Sequence, residues 1–434
     1  MSDKPPFRVV SAVVIGSATE FYDFFIYGTA AALVFGRAFF PHLSTAGGLL
    51  AAFSVYAVGF LGRPTGAVLF GHLGDRWGRK RVLIGSLLLM GLSTAGVGLL
   101  PGYGAWGVWA PLTLTALRFL QGVGLGGEFG GAALLATEHA PPDRRGRYGA
   151  YVQFGPCLGF ALATGLFWAL SALLPEAEFR AWGWRLPFLG SLVLVAAGLV
   201  ARLRVQESPV FLAAAAEGPV RAPLLTVLRH HRGPLLLGAG TVVSGSVFFY
   251  VSTTWVLSHA TADLHLPRTR MLGLLLVGNL LLGAATYAAA LLSDRYGRRR
   301  VIRCGMLVAL LWAPLLVPLL DTGRTPLIML ALAGAMVALG LLHGPLPAFL
   351  PALFPSRVRC SGASVAYNLG SLTGGALAPL IATRLTATVG SYAVGWYLIA
   401  ACCCSLLCIR ALPRPHPEGP LLATAQEAIS YSGQ

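Results

Sequence analysis

GDRWGRKR, residues 74–81, returns as SDRYGRRR at residues 293–300. The Asp, the first Arg, the Gly, the next Arg and the last Arg keep their places, and the copies stand about half the chain apart. Such an internal match reads as two similar halves joined head to tail. A weaker pair, APPDRRGRYGAYVQFG (140–155) and LFPSRVRCSGASVAYNLG (353–370), recurs at nearly the same offset. In the first loop Gly74 and Gly78 permit a tight reversal and Asp75 can cap a helix or pair with an Arg. Arg76, Arg79, Lys80 and Arg81 are kept in water.

The segments that these loops connect are apolar. Of 434 residues, 56% are hydrophobic and only 11% charged, which is outside the range of soluble globular proteins. A spanning helix needs about 20 mostly apolar residues. Such stretches fall at 8–35, 46–71, 82–101, 107–138, 146–174, 185–203, 234–258, 270–292, 301–320, 325–354, 360–388 and 390–411. The expectation is an all-α membrane protein with twelve transmembrane helices in two pseudo-symmetric six-helix bundles. The bundles are expected at 1–203 and 234–411, with a cytoplasmic linker at 204–233 that is rich in Pro, Gly and charge, and a disordered cytoplasmic tail at 412–434.

A net charge of +16 would suggest nucleic acid in a soluble protein, but here the basic residues sort by side of the membrane. With the N-terminus inside, the outer loops hold only Arg37, Arg180, Arg185, Arg268, Arg270, Arg324 and Arg384, and the spans hold Arg63 and Arg118. Every other Lys and Arg lies inside, so both termini are expected there, beside the anionic inner leaflet. The seven cysteines show no metal-ligand spacing. No cofactor or metal is expected. Arg is abundant while Lys occurs only at 4 and 80, a usage that suggests a GC-rich bacterial genome. The expected place is the bacterial cytoplasmic membrane, and the expected state a monomer.

Charges inside spans are the sharpest signal, because one Asp, Lys or Arg at a helix centre costs about 2.5–3.5 kcal/mol even on the lenient insertion scale. On the first span Thr19, Glu20, Asp23 and Tyr27 share one helical face. On the fourth, Arg118, Gly122, Gly126 and Gly130 recur every four residues, a small-residue stripe on which another helix can lie closely. Gln121 and Glu128 occupy a neighbouring face, and Arg63 precedes Pro64 in the second span. These groups are expected to meet in one wet chamber between the halves. Burial works against a charged carboxylate and a nearby guanidinium favours it, a balance suited to a group that takes and gives a proton. Asp23, then Glu20, then Glu128 are the expected proton-coupling groups, and Arg118 or Arg63 is expected to hold an anionic substrate. The alternative is that the paired charges only lock helices together.

The second half offers no comparable buried charge, only Tyr250, Ser252, Trp255, Asn279, Tyr287, His343, Tyr367 and Asn368. Tyr27, Gln121, Tyr250, Trp255, Asn279, His343 and Asn368 are taken as candidate substrate contacts, although lone polar groups in spans often serve interhelical hydrogen bonds. His343 precedes Gly344, Pro345 and Pro347 and so marks a place where a span breaks.

GHLGDRWGRKR (71–81) and RFLQGVGLGGEFGG (118–131) resemble the loop and fourth-span motifs of the major facilitator superfamily. EFYDFFIYGTAAALVFGRAFFP (20–41), WGWRLPFLGS (182–191) and RLRVQESPVF (202–211) resemble its metabolite:proton symporter branch. The resemblance implies alternating access around a midplane site and a small organic acid as substrate. It also implies an inner gate built from Gly74, Asp75, Arg76, Gly78, Arg79, Glu138 and Arg145 with Asp294, Arg295, Gly297 and Arg298. The branch's acidic residue before Phe-Pro is Ala352 here, so the second half's inner charge cluster is incomplete.

No GxxxxGK[ST], HExxH or GxSxG pattern is present, which disfavours direct ATP drive and an intramembrane enzyme. The expected function is therefore proton-coupled import of a small organic acid anion. Its alternatives are a proline or betaine importer, an efflux carrier and a nontransporting sensor. The short tail lacks the heptads of an osmosensing coiled coil.

Overall fold

The computed structural model describes residues 7–77, 79–126, 145–204, 223–355 and 358–412. Its long helices are labelled α1 to α12: α1 (Phe7–Ala30), α2 (Thr45–Trp77), α3 (Arg79–Leu99), α4 (Trp109–Leu125), α5 (Arg145–Leu173), α6 (Leu186–Arg204), α7 (Arg232–Tyr250), α8 (Arg268–Tyr296), α9 (Arg298–Asp321), α10 (Thr325–His343), α11 (Arg359–Ser371) and α12 (Ala393–Ala411). In a bilayer every backbone polar group must be satisfied internally, and helices achieve that within one segment. Among the described residues, nine helices are long and apolar enough to cross a membrane, and Ile84–Leu99 is a shorter apolar helix. Most of 204–233 and all of the tail from 413 lie outside the described residues. Within the expected linker, Pro223–His230 is helical.

The pairing of helices repeats. In the first half α1 packs on α5 and α6, α4 on α2 and α3, and α3 on α6. In the second half α7 packs on α11 and α12, α10 on α8 and α9, and α9 on α12. Close crossings at equivalent places use glycine. A Cβ on Gly122 of α4 would lie 1.9 Å from the Gly59 carbonyl oxygen of α2, and one on Gly340 of α10 would lie 2.4 Å from the Ala285 Cβ of α8. The stripe read on the fourth span thus does bring α2 and α4 into backbone contact at Gly122; Gly130 lies outside the described residues.

Among the described residues three spans contain a π turn, at Ala31–Phe35, Val251–Trp255 and Leu372–Ala376. Helix resumes beyond each, at Gly36–Phe39, Val256–Ala262 and Ala378–Thr388. Single-turn π bulges in α-helices recur at functional sites. The halves meet where α8 packs on α5 and where the helix after the third π turn packs on α2.

One end of the molecule carries the duplicated basic loops. The second copy turns at Gly297, whose φ of 89° suits glycine alone, and Arg298 donates to the Ala348 carbonyl at 3.2 Å. Arg299 donates to the carbonyls of Ile409, Arg410 and Leu412, capping the C-terminus of α12. In the first copy α2 stays helical through Gly74, so the reversal expected to begin there starts after Trp77. Gly78, Glu128 and Glu138, and the side chains of Asp75, Arg76, Arg79 and Arg145, lie outside the described residues.

The opposite end is latched across the halves. Arg268 at the start of α8 pairs with Glu176 of the short helix Glu176–Ala181, and its guanidinium sits 4.0 Å from the Phe179 ring. Thr269 adds a hydrogen bond to the Ser171 carbonyl at 3.3 Å.

Candidate functional site

Asp23 of α1 is fully buried. Its Oδ2 accepts from the Thr94 hydroxyl of α3 at 3.0 Å, while Oδ1 has no partner. Thr94 has one hydroxyl proton and a second acceptor in reach, the Met90 carbonyl at 2.9 Å. A charged Asp23 therefore receives the Thr94 proton. A protonated Asp23 can donate to Thr94 once that proton turns to Met90. The same heavy-atom positions serve both states.

Gln121 of α4 joins this pair to a cation. Its amide nitrogen donates to the backbone carbonyl of Asp23 at 3.0 Å and to Thr94 Oγ1 at 2.9 Å. Its amide oxygen accepts from Nη1 of Arg118. Both ends of the amide are used, so its orientation follows from the network. Arg118 is itself fully buried, and its Nε and Nη2 have no hydrogen-bond partner. Its guanidinium lies 4.4–4.8 Å from the ring centroids of Phe24, Tyr27 and Tyr56. A desolvated cation on such a face gains about 2 kcal/mol or more. Space for it comes from α2, since a Cβ on Gly59 would lie 2.6 Å from Arg118 Nε.

Arg63 sits 4.6 and 4.7 Å over Phe24 and Phe60. Phe60 in turn contacts Tyr250 of α7 edge-on, with centroids 5.7 Å apart. Glu20 is also buried.

Beside this cluster a cavity of about 60 Å³ opens between the halves. Phe21, Phe25, Gln153 and Cys157 line it from one half, and Phe249, Tyr250, Asn279, His343 and Tyr367 from the other. Gln153 crosses between halves by donating to the His343 carbonyl at 3.1 Å, and Asn279 does so by donating to the Cys157 carbonyl at 2.8 Å.

These positions correct the single wet chamber expected from the sequence. Tyr250, Asn279 and His343 line the cavity, whereas Arg63, Arg118, Tyr27, Gln121, Trp255 and Asn368 do not. Arg118 and Arg63 are turned into aromatic rings. Among the described residues no ion pair joins either to Asp23, because Gln121 occupies the place beside Arg118. Tyr27 lies under Arg118 with its hydroxyl unpartnered. Asn368 is spent on its own helix, donating to Ser364 at 3.0 Å. Trp255 stacks on His259, and Tyr287 packs on Phe154. Thr94, Tyr56 and Gln153 were missed, since a hydroxyl or amide in an apolar helix has no distinguishing local signal.

Replacing Thr94 with Val keeps its shape and removes the one side-chain donor to Asp23 among the described residues. Uptake is expected to fall about tenfold or more, roughly the effect of one lost hydrogen bond to a charged group. Thr94→Ser should stay within about twofold. Equal loss in both variants, measured as initial uptake at matched protein levels, would mean that the hydroxyl is not what matters.

Two similar helical halves with buried ionic groups beside a cavity at their junction are the architecture of a membrane carrier. The sequence matches the Major Facilitator Superfamily over residues 13–366 and 241–430. The chain belongs to that family. It is 44% identical to the inner membrane metabolite transport protein YhjE of Escherichia coli K12 over 399 residues, covering 91% of each chain. It is 39% identical to the shikimate transporter of the same organism, covering 90% of this chain and 91% of the relative. It is 32% identical to that organism's proline/betaine transporter, covering 87% and 77%. Among solved structures, a D-xylose-proton symporter superposes with a TM-score of 0.73 at 19% identity, covering 95% of this chain and 98% of that one. That likeness bears on the fold alone.

Proposed function

We propose that this protein is a proton-coupled symporter that imports a small organic acid anion across a bacterial cytoplasmic membrane by alternating access. The basic-loop end and both termini face the cytoplasm, following the distribution of Arg and Lys. The carrying observation is the buried chain Asp23, Thr94, Gln121 and Arg118. A titratable carboxylate is wired there to a cation with two unused donors, next to the cavity between the halves. Asp23 takes the coupling proton, and Glu20 is the second candidate.

Anion binding is the task of Arg63, which lies against rings that continue to Tyr250 in the cavity wall. Arg118 is enclosed and acts on Asp23 instead. Relatedness to a shikimate transporter supports a carboxylate. At the basic end, Arg298 and the span-ending segment that holds Ala348 act as part of the inner gate.

A second reading has one observation of its own. The cavity wall carries Phe21, Phe25, Phe249 and Tyr250 and, among the described residues, no guanidinium, and aromatic faces suit a quaternary ammonium such as betaine. A thermal-shift screen of the purified protein against shikimate-like carboxylates and against proline and betaine separates the two readings. A ligand at 100 times its Kd adds about 2.7 kcal/mol of stability. Stabilisation by carboxylates alone is expected, followed by uptake into proteoliposomes under an inward proton gradient. Stabilisation by betaines alone overturns the anion assignment.

A further inference from the structure

At the end of the second half remote from the basic loops, four residues from three inter-helix junctions converge. His259 lies in Val256–Ala262, beyond the π turn of the α7 span. Its Nδ1 is 2.7 Å from Asp263 Oδ2 and its Nε2 is 2.8 Å from Asp321 Oδ1 at the end of α9. The other oxygen of Asp321 accepts from the Ser391 hydroxyl at 2.7 Å, just before α12. The imidazole stacks on Trp255, with centroids 4.7 Å apart and planes within 8°.

A neutral imidazole has one N–H. It can satisfy one of these carboxylates, but it would set a bare lone pair against the other at hydrogen-bond distance. With both carboxylates ionised, both contacts hold only for the imidazolium, which also gains from the indole face. Among the described residues Asp263 and Asp321 are the acidic groups that face His259, one from its own helix end and one from α9. The His259 side chain is 5% exposed, while Asp321 and Asp263 are 34% and 50% exposed. The carboxylates therefore connect a buried base to solution, the arrangement of a site that exchanges protons with one face of the membrane.

We propose that His259 is a proton-binding site on this face, separate from Asp23. Its bound proton fastens the outer segment of the α7 span to α9 and to the corner before α12. That segment also packs against the π turn Ala31–Phe35 of the first half. It thus belongs to the closed junction between halves, and loss of the proton loosens it at the hinge of Val251–Trp255. Only the description of this face as external rests on the orientation proposed above.

The test uses the full-length protein with ¹⁵N-labelled histidine in nanodiscs. The His259 signal is assigned by its loss in His259→Gln. If that variant folds poorly, it is assigned by the ring-current shift removed in Trp255→Leu. At pH 7 both ring nitrogens are expected at protonated, imidazolium positions. Asp321→Asn is expected to move the titration to lower pH by about one unit or more. Backbone hydrogen exchange at 256–262, corrected for intrinsic rate, should rise with the same midpoint as the histidine titrates. An unprotonated ring nitrogen at pH 7, or exchange that ignores the titration, overturns the proposal. Neither measurement involves transport, so its failure and a failure of the symport reading are separate results.

Discussion

Asp23→Asn is expected to abolish accumulation against a gradient while leaving exchange of substrate across the membrane. The substitution is nearly isosteric, and the amide oxygen can still accept from Thr94, so the packing of α1, α3 and α4 is kept. What disappears is the ability to take up a proton. For one proton per singly charged anion, a gradient of two pH units supports about 100-fold accumulation, since each unit corresponds to about 1.36 kcal/mol. The variant should equilibrate substrate to about onefold. Counterflow needs only the loaded carrier to reorient and should persist within a few-fold. Proteoliposomes with an imposed pH gradient read the first quantity, and radiolabel exchange at equal pH reads the second. Accumulation that survives removes Asp23 from the coupling role and makes Glu20→Gln the next variant to measure.

The all-helical fold was legible because its evidence is strong and local. Apolar stretches of spanning length and a loop duplicated at half the chain both follow from requirements of the bilayer and of gene-level repetition. Asp23 and Arg118 were also visible, because a charge inside a span is costly wherever it points. Which partner each charge chooses was not visible. Gln121 lies three residues beyond Arg118 and reaches both it and Asp23, yet a period-based reading sees only a polar residue on the next face. The orientation of Arg118 depends on the missing side chain of Gly59 on another helix. Trp255 is a candidate in the sequence only as a polar-tipped ring in an apolar span, and nothing there shows the phase of its helix. The π turn at Val251–Trp255 inserts one residue, about 100° of rotation. Asp321 and Ser391 are far in the chain from His259 and Asp263, which share one helical turn, and they join that pair only through the topology of the second half.

A large loss of stability is expected from Gly122→Ala. The added Cβ would lie 1.9 Å from the Gly59 carbonyl oxygen and 2.8 Å from its carbonyl carbon. Both atoms are backbone, so no side chain can turn away, and α2 and α4 must separate by roughly an ångström or more to restore van der Waals contact. Overpacking costs about 1–3 kcal/mol where side chains can adjust, occasionally more, and a backbone clash belongs at or above that range. The gain in helix propensity from Gly to Ala, about 1 kcal/mol, does not offset it. Gly283→Ala on α8 is the matched control, with nothing within 4 Å of its new Cβ. Thermal unfolding in detergent should show a large drop for the first and no drop for the second. An unchanged midpoint for Gly122→Ala would mean that the two helices do not cross this closely. The functional consequence follows from the same contact: moving α2 away from α4 also moves Gly59 away from Arg118 and opens the aromatic enclosure around the guanidinium. A folded Gly122→Ala protein should therefore couple poorly even though every charged residue is intact.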